Sequence, residues 1–90
     1  MRVISQDGLI DVPYSITAFH ICGGNIIMNM AGDTGKGTVM ARYESDEKAV
    51  KAMEDLRNNY HSSKIEEIYT EGNNSYYSSF QFPEDDEVEI

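Results

Sequence analysis

Basic residues are scarce in this chain of 90: seven Lys and Arg stand against sixteen Asp and Glu, for a net charge of −9. That imbalance excludes ordinary binding to nucleic-acid backbones, which requires a basic face. Cysteine is almost missing as well. Cys22 stands alone and cannot form an internal disulfide, in keeping with a reducing compartment. No apolar run approaches the ~18 residues of a transmembrane helix, and "MRVISQDG" lacks the apolar core of a signal peptide. A cytoplasmic protein with no membrane partner is therefore expected. The two prolines, Pro13 and Pro83, read as interruptions of strand pairing.

What is present suffices for a fold. The apolar fraction is 40% and there are six Tyr and three Phe, too many for wholesale disorder. A chain this short buries only roughly 60–65% of its unfolded surface, so its core is thin and a homo-oligomer is expected to relieve it. The acids are unevenly spread. Glu84, Asp85, Asp86, Glu87 and Glu89 crowd the end, and without them eleven acids against seven bases leave about −4. Residues 1–83 therefore read as a single α+β domain and 84–90 as an acidic, flexible tail.

Patterning supplies the elements. "RVIS" reads as a first strand, then Asp7-Gly8 as a turn. In "SITAFHIC", Thr17, Phe19 and Ile21 alternate with Ile16, Ala18, His20 and Cys22; both sets include apolar groups, so the strand is expected to be covered on two sides. Gly23-Gly24 makes a tight turn into "IIMNM", and "TVMARY" follows, with Val39, Ala41 and Tyr43 set against Thr38, Met40 and Arg42. Residues 15–43 thus form a three-stranded antiparallel meander, with the opening strand added to one edge. In "ESDEKAVKAMEDLRNNY" the period becomes helical. Ser45 is the N-cap, Ala49, Met53, Leu56 and Tyr60 form the apolar stripe, Val50 widens it, and Asn58-Asn59 favours a stop after about fifteen residues. "KIEEIYTEGNNS" fits two readings: Ile65, Ile68 and Tyr69 suit a helical turn, and "EIYT" suits a strand, the slightly favoured reading, in which case it forms a second hairpin with "SYYSSFQF" over 67–82. The fold class is an antiparallel sheet of about four to six strands with one amphipathic helix on one face.

No motif carries catalysis. "AGDTGKGT" looks like a phosphate loop, but Gly37 follows Lys36 where Ser or Thr is required, and Met30 stands where the leading Gly belongs. His20 and Cys22 share a strand face, yet two ligands do not make a zinc site, and same-strand neighbours seldom reach the geometry of a Cys–His nucleophile. Cys22 reads instead as a small buried residue and His20 as a polar group at the sheet edge. Neither Asp33 nor Glu44 stands out as a tuned acid or base. No catalytic residue, metal or cofactor is expected. Tyrosine is enriched at interfaces, and Tyr69, Tyr76 and Tyr77 crowd the last third of the chain, with Tyr77 facing away from Tyr76.

The segments "MRVISQDG", "IDVPY", "ARYESDEKAVKAMEDLRNNY" and "FQFPEDDEVE" resemble a family of short proteins from Firmicutes and their phages and prophages, with residues 61–79 outside the likeness. The shared motifs carry no chemistry, so no site residue transfers. The resemblance implies a small intracellular protein that disables a host component by binding it. The leading reading is accordingly a non-enzymatic inhibitor occupying a host protein, one that is basic or binds nucleic acid, through Tyr69, Tyr77, Glu84, Asp85, Asp86 and Glu87, by surface occupation or nucleic-acid mimicry. An alternative is an oligomer that sequesters a signalling nucleotide between subunits, using Lys36, Arg42, Arg57, Lys64 and Tyr76. A housekeeping interaction module is the third.

Overall fold

The computed structural model describes residues 1–32, 35–69 and 79–89, and shows an α+β fold of six strands in two three-stranded sheets with one long helix. The meander is the second sheet: β3 (Thr17–Cys22), β4 (Asn25–Met30) and β5 (Thr38–Arg42), ordered β3-β4-β5 and antiparallel throughout. Its first turn depends on Gly24. At φ +80° this residue occupies the left-handed region, and an added Cβ would collide with the Tyr43 carbonyl, while Tyr43 N–H donates to the Gly24 carbonyl at 2.9 Å.

The opening strand does not extend the meander. β1 (Arg2–Ile4) is the centre of a separate sheet, antiparallel to β2 (Asp11–Pro13) and parallel to β6 (Ser79–Gln81). Pro13 is tolerated because it ends an edge strand, where its missing N–H costs no ladder bond. The turn between β1 and β2 is held by the Ser5 hydroxyl, which donates to the Asp7 carboxylate and accepts from Ile10 N–H at 3.0 Å.

The strict alternation expected in β5 also fails. Ile26 pairs with Ala41 and Ile27 with Val39, leaving Met40 as an extra residue. This is a β-bulge, which re-aims a side chain; Met40 and Ala41 are consecutive and both buried. The bulge turns the Met40 carbonyl outward, where it accepts Gln6 N–H at 2.8 Å and joins the two sheets.

Helix α1 (Asp46–Tyr69) runs 24 residues, well past the expected stop. Ser45 caps it as expected, its hydroxyl accepting Lys48 N–H at 3.3 Å. Asn59 satisfies itself within the helix, donating to the Asp55 carbonyl at 2.8 Å, and no Gly or Pro intervenes before Gly72. Residues 67–69 are therefore helix, not the first strand of a hairpin, and β6 pairs with β1; residues 70–78 lie outside the described residues. Ala49, Ala52 and Leu56 form the buried stripe, whereas Val50 is 44% exposed instead of widening it.

The helix lies against β3 and β4. Aromatic rings bind the layers. Tyr60 of α1 stacks on Tyr14 at 4.3 Å, Tyr14 on Phe19 at 6.2 Å, Phe19 meets Phe82 at 6.1 Å, and Phe82 meets Phe80 edge-on at 5.4 Å. Only one face of β3 is covered, contrary to the expectation of two: Thr17, Phe19 and Ile21 are half-buried, while Ala18, His20 and Cys22 are exposed. Cys22 is thus a surface thiol, not a buried residue.

Gly24→Ala should destabilise the domain by about 2 kcal/mol or more, because left-handed strain and overpacking add at one site. Urea unfolding followed by circular dichroism measures this. Ala at Gly23, where a Cβ meets nothing within 4 Å, should cost only the strain.

Candidate protein-binding site

The acidic end of the chain was expected to be a flexible tail; it is fastened to the domain. After Phe82, itself buried, the Pro83 carbonyl accepts the Tyr43 hydroxyl at 2.7 Å and the Gln6 side-chain amide at 3.0 Å. Tyr43 is buried, and burial first, then the nearby Glu84 and Asp85 carboxylates, push its phenol well above the ordinary value, so it remains the donor. Residues Asp85–Glu87 then form one 3-10 turn, closed by Glu84 N–H donating to the Glu87 carboxylate at 2.8 Å. Val88, only 6% exposed, plugs back into the core.

Asp85 is the inward-facing acid of this turn. Its carboxylate accepts Glu44 N–H at 2.8 Å and the Lys48 ammonium at 3.1 Å, and Lys48 also donates to the Asp85 carbonyl at 3.1 Å. The Lys48 side chain is only 15% exposed, with Glu44 Oε2 at 4.0 Å completing its surroundings. The Glu44 N–H first, and Lys48 second, hold the Asp85 carboxyl below its usual range. The helix cap explains why the lysine is there. Ser45 starts α1, so Lys48 projects from the first turn back toward Glu44, one turn earlier.

The remaining acids face solvent. Glu84, Asp86, Glu87 and Glu89 are all exposed, as is Glu44, whose N–H meets Asp85. Of the residues the sequence pointed to, the structure therefore brings Glu84, Asp86 and Glu87 together on one surface and turns Asp85 away from it. Glu44 and Lys48 adjoin the same segment and were missed as a pair, since their proximity to a residue some forty places away leaves no local signal. The Tyr69 side chain and Tyr77 lie outside the described residues.

The basic residues of the alternative reading are not gathered among the described residues. Lys36 precedes β5 and Arg42 ends it, with four strand steps of roughly 13 Å lying between Thr38 and Arg42. Arg57 is exposed on the helix; Tyr76 and the Lys64 side chain lie outside the described residues. Arg42 shares a shallow depression of about 210 Å³ with Gln6 and Asp7, so a carboxylate lines the same hollow as the guanidinium. His20 and Cys22 are exposed two residues apart, and the described residues hold no group of three or more metal-ligating side chains. No described helix is long and apolar enough to cross a membrane.

Compared with models of protein families, with curated proteins and with solved structures, the chain shows no match.

A carboxylate held below its ordinary pKa stabilises the fold above its unfolded value, near 3.8, and loses that contribution as pH falls through the folded value. Asp85→Asn should therefore lower stability at neutral pH and flatten the loss of stability below about pH 4. Urea midpoints between pH 2 and 7 check both effects; parallel pH profiles for variant and parent would contradict them.

Proposed function

We propose that this is a non-enzymatic binding protein that acts by laying a fixed acidic surface onto a basic partner, as a phage- or prophage-encoded inhibitor of a host protein in the cytoplasm. The observation that carries this reading is the fastening of residues 84–88. Tyr43, Lys48 and Val88 anchor the segment, yet Glu84, Asp86, Glu87 and Glu89 stay in water. A backbone already held in place leaves these carboxylates less conformational freedom to lose on binding, so more of their attraction survives as affinity. Net charge concentrated at one end steers encounter with a positive surface and disfavours negative ones. A partner that normally grips nucleic acid presents such a surface, and occupation of it amounts to mimicry of the phosphate backbone.

Glu84→Gln, Asp86→Asn, Glu87→Gln and Glu89→Gln together take the net charge from −9 to −5 while leaving Asp85, Lys48 and Val88 in place. With host lysate as prey, the parent should capture a basic protein whose association slows as salt rises, and the fourfold variant should associate at least tenfold more slowly. Capture of the same protein at an unchanged rate would end the proposal. Calorimetric titration with cyclic nucleotides or NAD should give no heat; a saturable signal would favour nucleotide sequestration instead.

A further inference from the structure

We propose that β3 pairs edge to edge with β3 of a second copy, making a two-fold dimer with one continuous six-stranded sheet. The first ground is the backbone. β3 ends its sheet, and no described strand lies beyond it. Cys22 pairs with Asn25 across the turn, and Ala31 N–H donates to the Ile16 carbonyl at 2.8 Å, so bonding alternates on residues 16, 18, 20 and 22. The N–H and C=O groups of Thr17, Phe19 and Ile21 consequently point outward. Tyr14 already accepts the Thr17 N–H. The two donors left on each copy, Phe19 and Ile21, meet the carbonyls of Phe19 and Thr17 on the other when the two-fold axis passes beside Phe19. That register keeps both ladders clear of Gly23 and Gly24, whose positive φ ends the extended run.

The second ground is that the other edges are protected and, among the described residues, this one is not. The outer edge of β5 is capped by Gln6, whose N–H reaches the Met40 carbonyl and whose side-chain amide exchanges bonds with Arg42 N–H and C=O. β2 is three residues long and carries Pro13 and the Arg2–Asp11 pair; β6 is also three residues long. Short strands, proline and charge are the usual defences of a sheet edge. β3 has six residues, no proline, no Lys or Arg, and a pairing with β4 free of register shifts.

Charge decides the occupant. Residues 12–32 contain no Asp, Glu, Lys or Arg, although 26% of the chain is charged. Two copies at −9 repel as wholes, and this uncharged hairpin is where they approach at the least electrostatic cost. A basic partner would find nothing to pair with. A two-fold contact guarantees its own complement: Ala18 faces His20 across the axis on the open side, and Phe19 faces Phe19 on the covered side, an aromatic cross-strand pair.

Sedimentation equilibrium should give twice the 10.2 kDa chain mass. Dimerisation should tighten as salt screens the repulsion, opposite to the salt response of the acidic surface, so either idea can fail without the other. Ala18→Lys with His20→Lys, both on the exposed face, should weaken the dimer at least tenfold with an unchanged far-UV spectrum, and Ala18→Lys with His20→Glu should restore it. Hydrogen exchange gives an independent reading without substitution: the Phe19 and Ile21 amides should gain protection as concentration rises. A monomer at several hundred micromolar, a dimer indifferent to the double lysine variant, or Phe19 and Ile21 amides insensitive to concentration would each overturn the proposal.

Discussion

The side-chain amide of Gln6 is the constraint on which the two halves of the molecule depend. Its backbone N–H holds the bulged Met40 carbonyl, its Oε1 accepts Arg42 N–H at 3.0 Å, and its Nε2 donates to both the Arg42 and Pro83 carbonyls. A single residue, two places past β1, thus ties the small sheet, the meander and the start of the acidic segment together. An amide suits this task because it carries an acceptor and two donors in one plane. A carboxylate would lose both donor contacts, and an apolar side chain of the same size would leave Arg42 N–H at an edge with no partner.

That tie explains how a thin core can be specific. Val3, Ile26, Met40 and Leu56 are buried and come from four different elements, and buried Phe82 follows β6, so no single pair of elements would hold them. Hydrophobic burial supplies most of the attraction but little direction. Direction comes from polar contacts at the seams: Gln6 between the sheets, Tyr43 to Pro83, and Asp46, whose carboxylate accepts the Gly24 N–H at 2.6 Å and sets the helix start against the first turn.

Legibility in the sequence follows the same division. β3, β4 and the first turns of α1 could be read because alternation and helical spacing are local, and Ser45 announced its cap. The pairing of β1, β2 and β6 could not, although "RVIS" and the end of "SYYSSFQF" read as strands. Its strands are three residues each, too short to show a period, and Val3 finds Phe80 across nearly the whole chain. The Met40 bulge was hidden for a related reason, since the carbonyl it turns outward meets Gln6, far off in the sequence, rather than its own neighbours. At the acidic surface the charges of Glu84, Asp86 and Glu87 were plain, but not the inward turn of Asp85, which needs Lys48. Val88, one apolar residue in an acidic run, is the small signal that the run is anchored.

The fold also separates the two surfaces in space. The acidic segment attaches beside Tyr43 and Glu44, just past the end of β5, while the bare edge belongs to β3, with β4 between them. A dimer joined at β3 would therefore carry its two acidic segments at opposite ends of the joined sheet, neither covering the other. Each alone offers a partner only partly dehydrated charge, a weak and salt-sensitive hold. Two on one rigid sheet make the second contact intramolecular once the first has formed, which raises affinity for any partner with repeated or extended basic surface without adding a contact. A long nucleic-acid groove is such a surface, and a single short acidic segment is a poor imitation of its ligand. In such a dimer the uncharged hairpin and the charged end would be complementary: one would set how far apart the other is displayed.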